Sequence, residues 1–252
     1  MENKKNIKII YQYDGSKFSG FQRQDNVKTV QGEIEKVIFK RFSEKVNMIS
    51  AGRTDKGVHA KGQVSNFFIN KSIPPEGIKN QINRHLHKEV KVTFADEVEN
   101  SFNARFDAKE RTYLYIMKEK EGISPFEADY ITGIKGKVDV ERLQKIMDDF
   151  IGKHDFKSFM KKDKAKRNTV REIYSIKCRY DVNEKNIKVE ICGSSFLKTM
   201  VRIMIGSALA VYFGDEDEDY IRRKLEFPDP EGKKILAPSE GLYLYEVKYS
   251  EE

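Results

Sequence analysis

The residues best placed to do chemistry lie in one decapeptide, AGRTDKGVHA at 51–60, where Asp55 stands among Arg53, Thr54 and Lys56, between Gly52 and Gly57. Glycines let the backbone take turns closed to other residues, so the segment can hold a carboxylate between two cations. Opposite charges at short range favour the ionised form, and a charged, oriented Asp suits a nucleophile better than a proton donor. The same composition also describes an Asx turn joining two strands. A second residue stands out by its surroundings: Arg202, within the apolar run FLKTMVRIMIGSALAVYF at 196–213, is flanked by Val201, Ile203, Met204 and Ile205. A guanidinium there needs an anion, or else must snorkel to the helix surface.

Missing motifs narrow the chemistry. The chain has no Walker loop, GxGxxG, HExxH or CxxC, which removes nucleotide-hydrolase, dinucleotide and zinc-peptidase readings. His59, His85, His87 and His154 have no spacing that converges on a metal, and Cys178 and Cys192 are too few for a disulfide framework or a zinc site. Asp215, Asp217, Asp219 and Glu226 imitate a calcium loop, but Tyr220 occupies the place of the turn glycine and Arg222, Arg223 and Lys224 would compete as cations. That stretch reads instead as the acidic first turn of a helix, and no metal is expected.

The elements that must position these residues show in the periodicity. Ile7, Ile9, Tyr11 and Tyr13 alternate with Lys8, Gln12 and Asp14, the pattern of a half-buried strand. Further strands are predicted over 46–50, 63–69, 90–98, 111–118, 172–182, 187–192 and 242–249. Val30, Ile34, Val37, Ile38 and Phe42 recur at helical steps behind Thr29 as N-cap, and other helices are predicted over 75–86, 138–150, 196–213 and 220–227. The chain is thus mixed α/β, with the order of elements roughly repeated, and 1–104 and 105–252 are the expected domains.

The 252 residues, 38% of them hydrophobic, supply one large core or two smaller ones, and the charge is 47 − 40 = +7. Lys198 and Arg202 inside the 18-residue apolar run argue for a buried helix over a membrane span. With no leader-like run at the N-terminus, a cytoplasmic protein without a membrane partner is expected. The loop MKKDKAKRN at 160–168 sets Lys161, Lys162, Lys164, Lys166 and Arg167 against Asp163, a local charge of 5 − 1 = +4. Such a loop either grips phosphates or is merely solvated.

The decapeptide at 51–60 resembles the GRTD-x-GVHA signature of the TruA-type tRNA pseudouridine synthases. Five more segments resemble that family's motifs in the family's order: GFQRQDNVKTVQGEIE at 20–35, FNARFDAKERTYLY at 102–115, HDFKSF at 154–159, FLKTMVRIMIG at 196–206 and APSEGLYL at 237–244. The resemblance implies two ferredoxin-like halves whose antiparallel sheets join around a basic central cleft, with helices on the outer faces. It makes Asp55 the catalytic carboxylate, Tyr113 the ring that stacks on the target base, and Arg202 the cation that approaches Asp55. Arg53 would assist extrusion of the nucleotide, and Phe21, Gln22, Arg105 and Arg111 would contact RNA; ion pairs with the nearby Asp107 and Glu110 are the alternative for Arg105 and Arg111, and sheet packing on the face shared with Tyr115 is the alternative for Tyr113. No cofactor is implied. The partners implied are tRNA, modified in the anticodon stem and loop on the three-prime side of the anticodon, and a second copy of the chain in a homodimer. AVYFGDEDED after Gly206 and KKIL before Ala237 depart from the family pattern, outside the residues that should touch the base. The competing readings are a binding-only RNA module and a synthase acting on ribosomal RNA.

Overall fold

The computed structural model describes residues 4–162 and 168–250. The chain divides into two compact units, Met1–Lys109 with Tyr243–Glu252, and Glu110–Leu242. The last strand therefore returns to the first unit.

In the first unit β1 (Lys5–Tyr13) runs antiparallel to β3 (His59–Ile69) and to β4 (Val90–Val98), while the short β2 (Ile49–Ser50) pairs with β3. The alternation in β1 is realised: Ile7, Ile9, Tyr11 and Tyr13 are all buried. The final strand, β10 (Leu242–Lys248), joins β3 in parallel, with Tyr243 opposite His59. Two helices belong to this unit, α1 (Val30–Phe42) and α2 (Pro75–His85). Thr29 caps α1 as predicted, its hydroxyl accepting the Gly32 N–H at 3.3 Å, a contact worth about 1 kcal/mol.

The second unit is built on β5 (Glu110–Glu119), β9 (Asn186–Gly193), β8 (Val170–Asp181) and β7 (Gly152–Asp155), antiparallel in that order, with β6 (Thr132–Ile134) parallel to β5. Its helices are α3 (Val140–Asp148), α4 (Met200–Phe213) and α5 (Tyr220–Glu226). The helix expected from 196 starts at Met200, because Thr199 has φ 66° and its left-handed backbone breaks the helical run. No described helix is long and apolar enough to cross a membrane.

Candidate active site

The Asp55 loop is held from three sides by groups of its own unit. At its base, Ala51 N–H donates to Val64 O at 2.9 Å, and the fully buried Gln63 donates to Gly52 O at 2.9 Å while accepting the Gly52 N–H at 3.3 Å. At its tip, Asp55 O accepts the Val58 N–H at 3.2 Å, a tight turn that Gly57 permits with φ +81°. Between them Thr54 is buried, its hydroxyl 2.8 Å from the Tyr13 hydroxyl and its carbonyl accepting the Phe21 N–H at 3.1 Å. A Cβ on Gly15 would lie 2.1 Å from Val58 O, so only glycine fits beneath the turn. Asp55 is half-buried, and Arg53 and Lys56 beside it are exposed.

The segment 20–23 that backs this loop is itself fixed by α1. Phe21 O accepts the Gln31 N–H at 3.0 Å, and Gln31 Oε1 accepts the Arg23 N–H at 3.2 Å. Glu35, one turn further on, accepts Gln31 Nε2 at 2.9 Å and the Met48 N–H at 3.0 Å. Gln31, Glu35 and Gln63 are supports that no period in the sequence marks. Their signal is a polar side chain at an inward position: Gln31 and Glu35 share the buried face of α1 with Ile34, Val37 and Ile38.

In the second unit Arg111, Tyr113 and Arg202 are drawn toward the segment 194–202. Arg111 is buried and donates from Nη1 to Ser194 O at 2.8 Å, and the buried Tyr113 ring meets Phe196 edge-on at 4.9 Å. Arg202 is half-buried; its Nε donates to Ala237 O at 2.8 Å, and Ala237 N–H returns a bond to Arg202 O at 3.0 Å. This clamp requires close approach of two backbones, since a Cβ on Gly206 would lie 2.4 Å from Ile235 O. Tyr115 steadies the same stretch, its hydroxyl 2.9 Å from Thr132 Oγ1 and 3.1 Å from Pro238 O. Burial pushes that phenol well above the usual tyrosine range, so it remains a neutral donor.

The other candidates are dispersed. Phe21 is buried, its ring 6.1 Å from that of Tyr13, whereas Gln22 is exposed. Arg105 is exposed with its guanidinium over the Phe106 ring at 5.4 Å. Lys161 and Lys162 are exposed, and Lys162 pairs with Glu231 at 2.5 Å. Lys164, Lys166 and Arg167 lie outside the described residues. Among the described residues no group of three or more His, Cys, Asp or Glu is arranged to hold a metal.

A profile of the tRNA pseudouridine synthases matches residues 9–107 and 146–250, and so takes in Asp55 and Arg202. The chain belongs to that family. Curated relatives named tRNA pseudouridine synthase A agree along the whole length. The one from Acetivibrio thermocellus is 37% identical over 97% of this chain and 100% of its own. Those from Finegoldia magna and Thermosipho melanesiensis are 38% and 39% identical with the same coverage. As a family member the protein is an isomerase. Tyr113 and Arg111 fall in the interval the family profile leaves open, 108–145, which the full-length relatives span.

Proposed function

We propose that this synthase converts uridine to pseudouridine in the anticodon stem and loop of tRNA, on the three-prime side of the anticodon, with Asp55 as the catalytic carboxylate. The observation that carries the reading is the Asp55 loop: a half-buried carboxylate on a backbone tied down at both its base and its tip. Such fixation keeps the group in one orientation before substrate arrives, which is where a positioned catalytic group gains most. In the isomerisation the C1′–N1 bond breaks, the uracil turns, C5 bonds to C1′, and the C5 proton leaves as N1 takes one up. Asp55 serves either by attacking C1′ or by removing a ribose proton, and both need the carboxylate.

In this reading Tyr113 offers the extruded base a ring to replace its lost stacking, with Phe196 bracing that ring from the side. Arg202, its guanidinium held at Nε by Ala237 O, is the cation that orients the carboxylate. Arg53 assists extrusion of the nucleotide. Gln22, Arg105 and the lysines at 161 and 162, all exposed, contact RNA. Phe21 and Arg111, both buried, support those contacts from behind. The protein acts in the cytoplasm as a homodimer and calls for neither metal nor organic cofactor.

The test is Asp55→Asn, which keeps the shape and removes the charge. Tritium release from tRNA labelled at uridine C5 should fall by at least about a hundredfold, the lower end of what a positioned acid–base group contributes. Filter binding should persist, because affinity for a polyanion comes mostly from Lys and Arg contacts to phosphate. Release near the wild-type rate would remove Asp55 from the reaction. Binding without release in both proteins would favour the binding-only module.

A further inference from the structure

In the second unit three stretches of chain bring six lysines together. Lys161 and Lys162 follow the 3-10 turn Phe156–Phe159, Lys198 precedes α4, and Lys224, Lys233 and Lys234 lie in α5 and the chain after it. Backbone and buried groups hold these stretches in place. Lys161 N–H donates to Lys198 O at 3.1 Å, and the buried Ser158 accepts the Asp229 N–H at 2.8 Å. Lys224 sits over the Tyr220 ring at 5.2 Å, and Lys234 Nζ donates to Asp229 O at 3.1 Å.

The carboxylates that meet these lysines are fewer. Glu231 pairs with Lys162 at 2.5 Å, Glu216 pairs with Lys233 at 3.1 Å, and Asp229 lies beside Lys224 and Lys234. Among the described residues, these six cations and the three carboxylates that meet them leave 6 − 3 = +3. Lys224 and Lys234 crowd each other: burial, and after it the neighbouring Lys224, lower the pKa of the Lys234 ammonium. Like charges fixed side by side cost folding stability, and a polyanion laid across them removes that cost. Compact ammonium groups on three separate stretches act as point charges spread over a surface, an arrangement that suits an extended phosphate backbone, which carries one negative charge at every nucleotide.

We propose that Lys161, Lys162, Lys198, Lys224, Lys233 and Lys234 form a surface for the phosphate backbone of the RNA substrate, and that Glu231 competes with phosphate for Lys162. The proposal deepens the reading of this protein as a tRNA-modifying enzyme and rests on it. Glu231 then acts as a latch, which RNA must displace to gain the Lys162 contact.

The experiment is filter binding of tRNA between 50 and 200 mM KCl, with thermal melts to confirm folding. Lys224→Gln/Lys234→Gln should flatten the slope of log affinity against log salt by about 1.8, at about 0.9 per lost contact, so that wild type loses about tenfold more affinity than the variant across this range. Glu231→Gln, which leaves every lysine in place and no freed carboxylate to take up a cation against the counterion that the Lys162 contact releases, should steepen the slope by up to about 0.9. Lys36→Gln/Lys79→Gln, on α1 and α2, is the control. Unchanged slopes in both test variants, or an equal flattening in the control, would overturn the surface. So would retention on phosphatidylserine vesicles that the double variant loses while its tRNA slope stays at the wild-type value, which would assign the lysines to a membrane. Tritium release by wild type is scored separately: slopes as expected with no release would sink the isomerase reading and leave the RNA surface standing.

Discussion

The Asp55 loop and the Arg202 helix solve the same problem, holding one charged side chain still, by different means. Around Asp55 the fixing groups are polar and buried: Gln63 bonds both polar groups of Gly52, Tyr13 meets Thr54, and Gln31 and Glu35 tie down the segment that backs the loop. Around Arg202 the fixing is steric. An apolar helix lies against 235–237 at a distance only Gly206 allows, Ala237 N–H bonds the Arg202 backbone carbonyl, and Ala237 O accepts from Nε of the guanidinium. A polar cradle fails locally when one partner is lost, because specific N–H and C=O groups are orphaned. A steric one fails by displacement, and whatever is mounted on it moves too.

The largest effects should come from the close backbone approaches, one of which underlies the polar cradle at Gly15 while the other is the main fixing at Gly206. Gly15→Ala puts a Cβ 2.1 Å from Val58 O, and Gly206→Ala puts one 2.4 Å from Ile235 O and 2.8 Å from Ala237 N. Backbone atoms cannot swing aside, so each should cost about 3 kcal/mol or more in chemical denaturation. The gain of roughly 1 kcal/mol from replacing a helical glycine with alanine offsets only part of this at Gly206. A melt within a degree of wild type for Gly206→Ala would show that the 235–237 segment yields, and the contrast between the regions would lose its basis.

Arg202→Met comes next. It keeps the stem length in an apolar helix and gives up the Nε bond to Ala237 O, so stability should fall by only about 1 kcal/mol. Single-turnover rate should fall about a hundredfold, equivalent to about 2.7 kcal/mol of transition-state stabilisation. A folded Arg202→Met protein with the wild-type rate would leave the arginine a purely structural clamp.

Gln63→Leu tests the polar cradle. The substitution orphans the Gly52 N–H and C=O and should cost about 2 kcal/mol, or about 4–8 °C in Tm for a chain of this size. Because the loop would loosen without losing phosphate contacts, kcat should drop while KM for tRNA changes little. Equal changes in both would mean that Gln63 supports RNA binding instead.

How much of this was legible beforehand depended on whether a residue's role left a periodic trace. The strand β1 and helix α1 with its Thr29 cap were, since Ile7 to Tyr13 and Val30 to Phe42 carry unbroken periods. The strands β6 and β7 were not, at three and four residues too short to show alternation, and the strand expected over 46–50 shrinks to Ile49–Ser50. Asp55 stood out because glycines bracket it. Gln63, Gln31 and Glu35 did not, since a polar residue in an amphipathic pattern reads as outward until its partners are seen. Phe21 and Arg111 show the converse: side chains that read as RNA contacts are buried, one beneath the Asp55 loop and the other on Ser194 O.

The smallest effect gives the comparison an internal reporter. Cys178 lies on β8 against α3, its N–H donating to Gln144 Oε1 at 2.7 Å, and burial, reinforced by Asp148, pushes its thiol from 9.0 up to about 12. In the folded state the thiol keeps its proton well past the pH at which the unfolded chain gives it up. Between about pH 9 and pH 12 the unfolded state therefore binds fewer protons, and this group's contribution to stability falls as pH rises. Alkylation at Cys178 needs the thiolate, so labelling of the half-buried thiol by iodoacetamide at pH 8 should be slow in the wild-type protein, and faster in states in which β8 and α3 part. Gly206→Ala, by displacing a helix of the second unit, should speed labelling, whereas Gly15→Ala in the first unit should leave it near the wild-type rate despite a comparable loss of stability. Mass spectrometry of the peptide containing Cys178 separates the two. Equal acceleration by both variants would mean that the units open together, and the local failure argued for the Asp55 loop would then be a failure of the whole molecule.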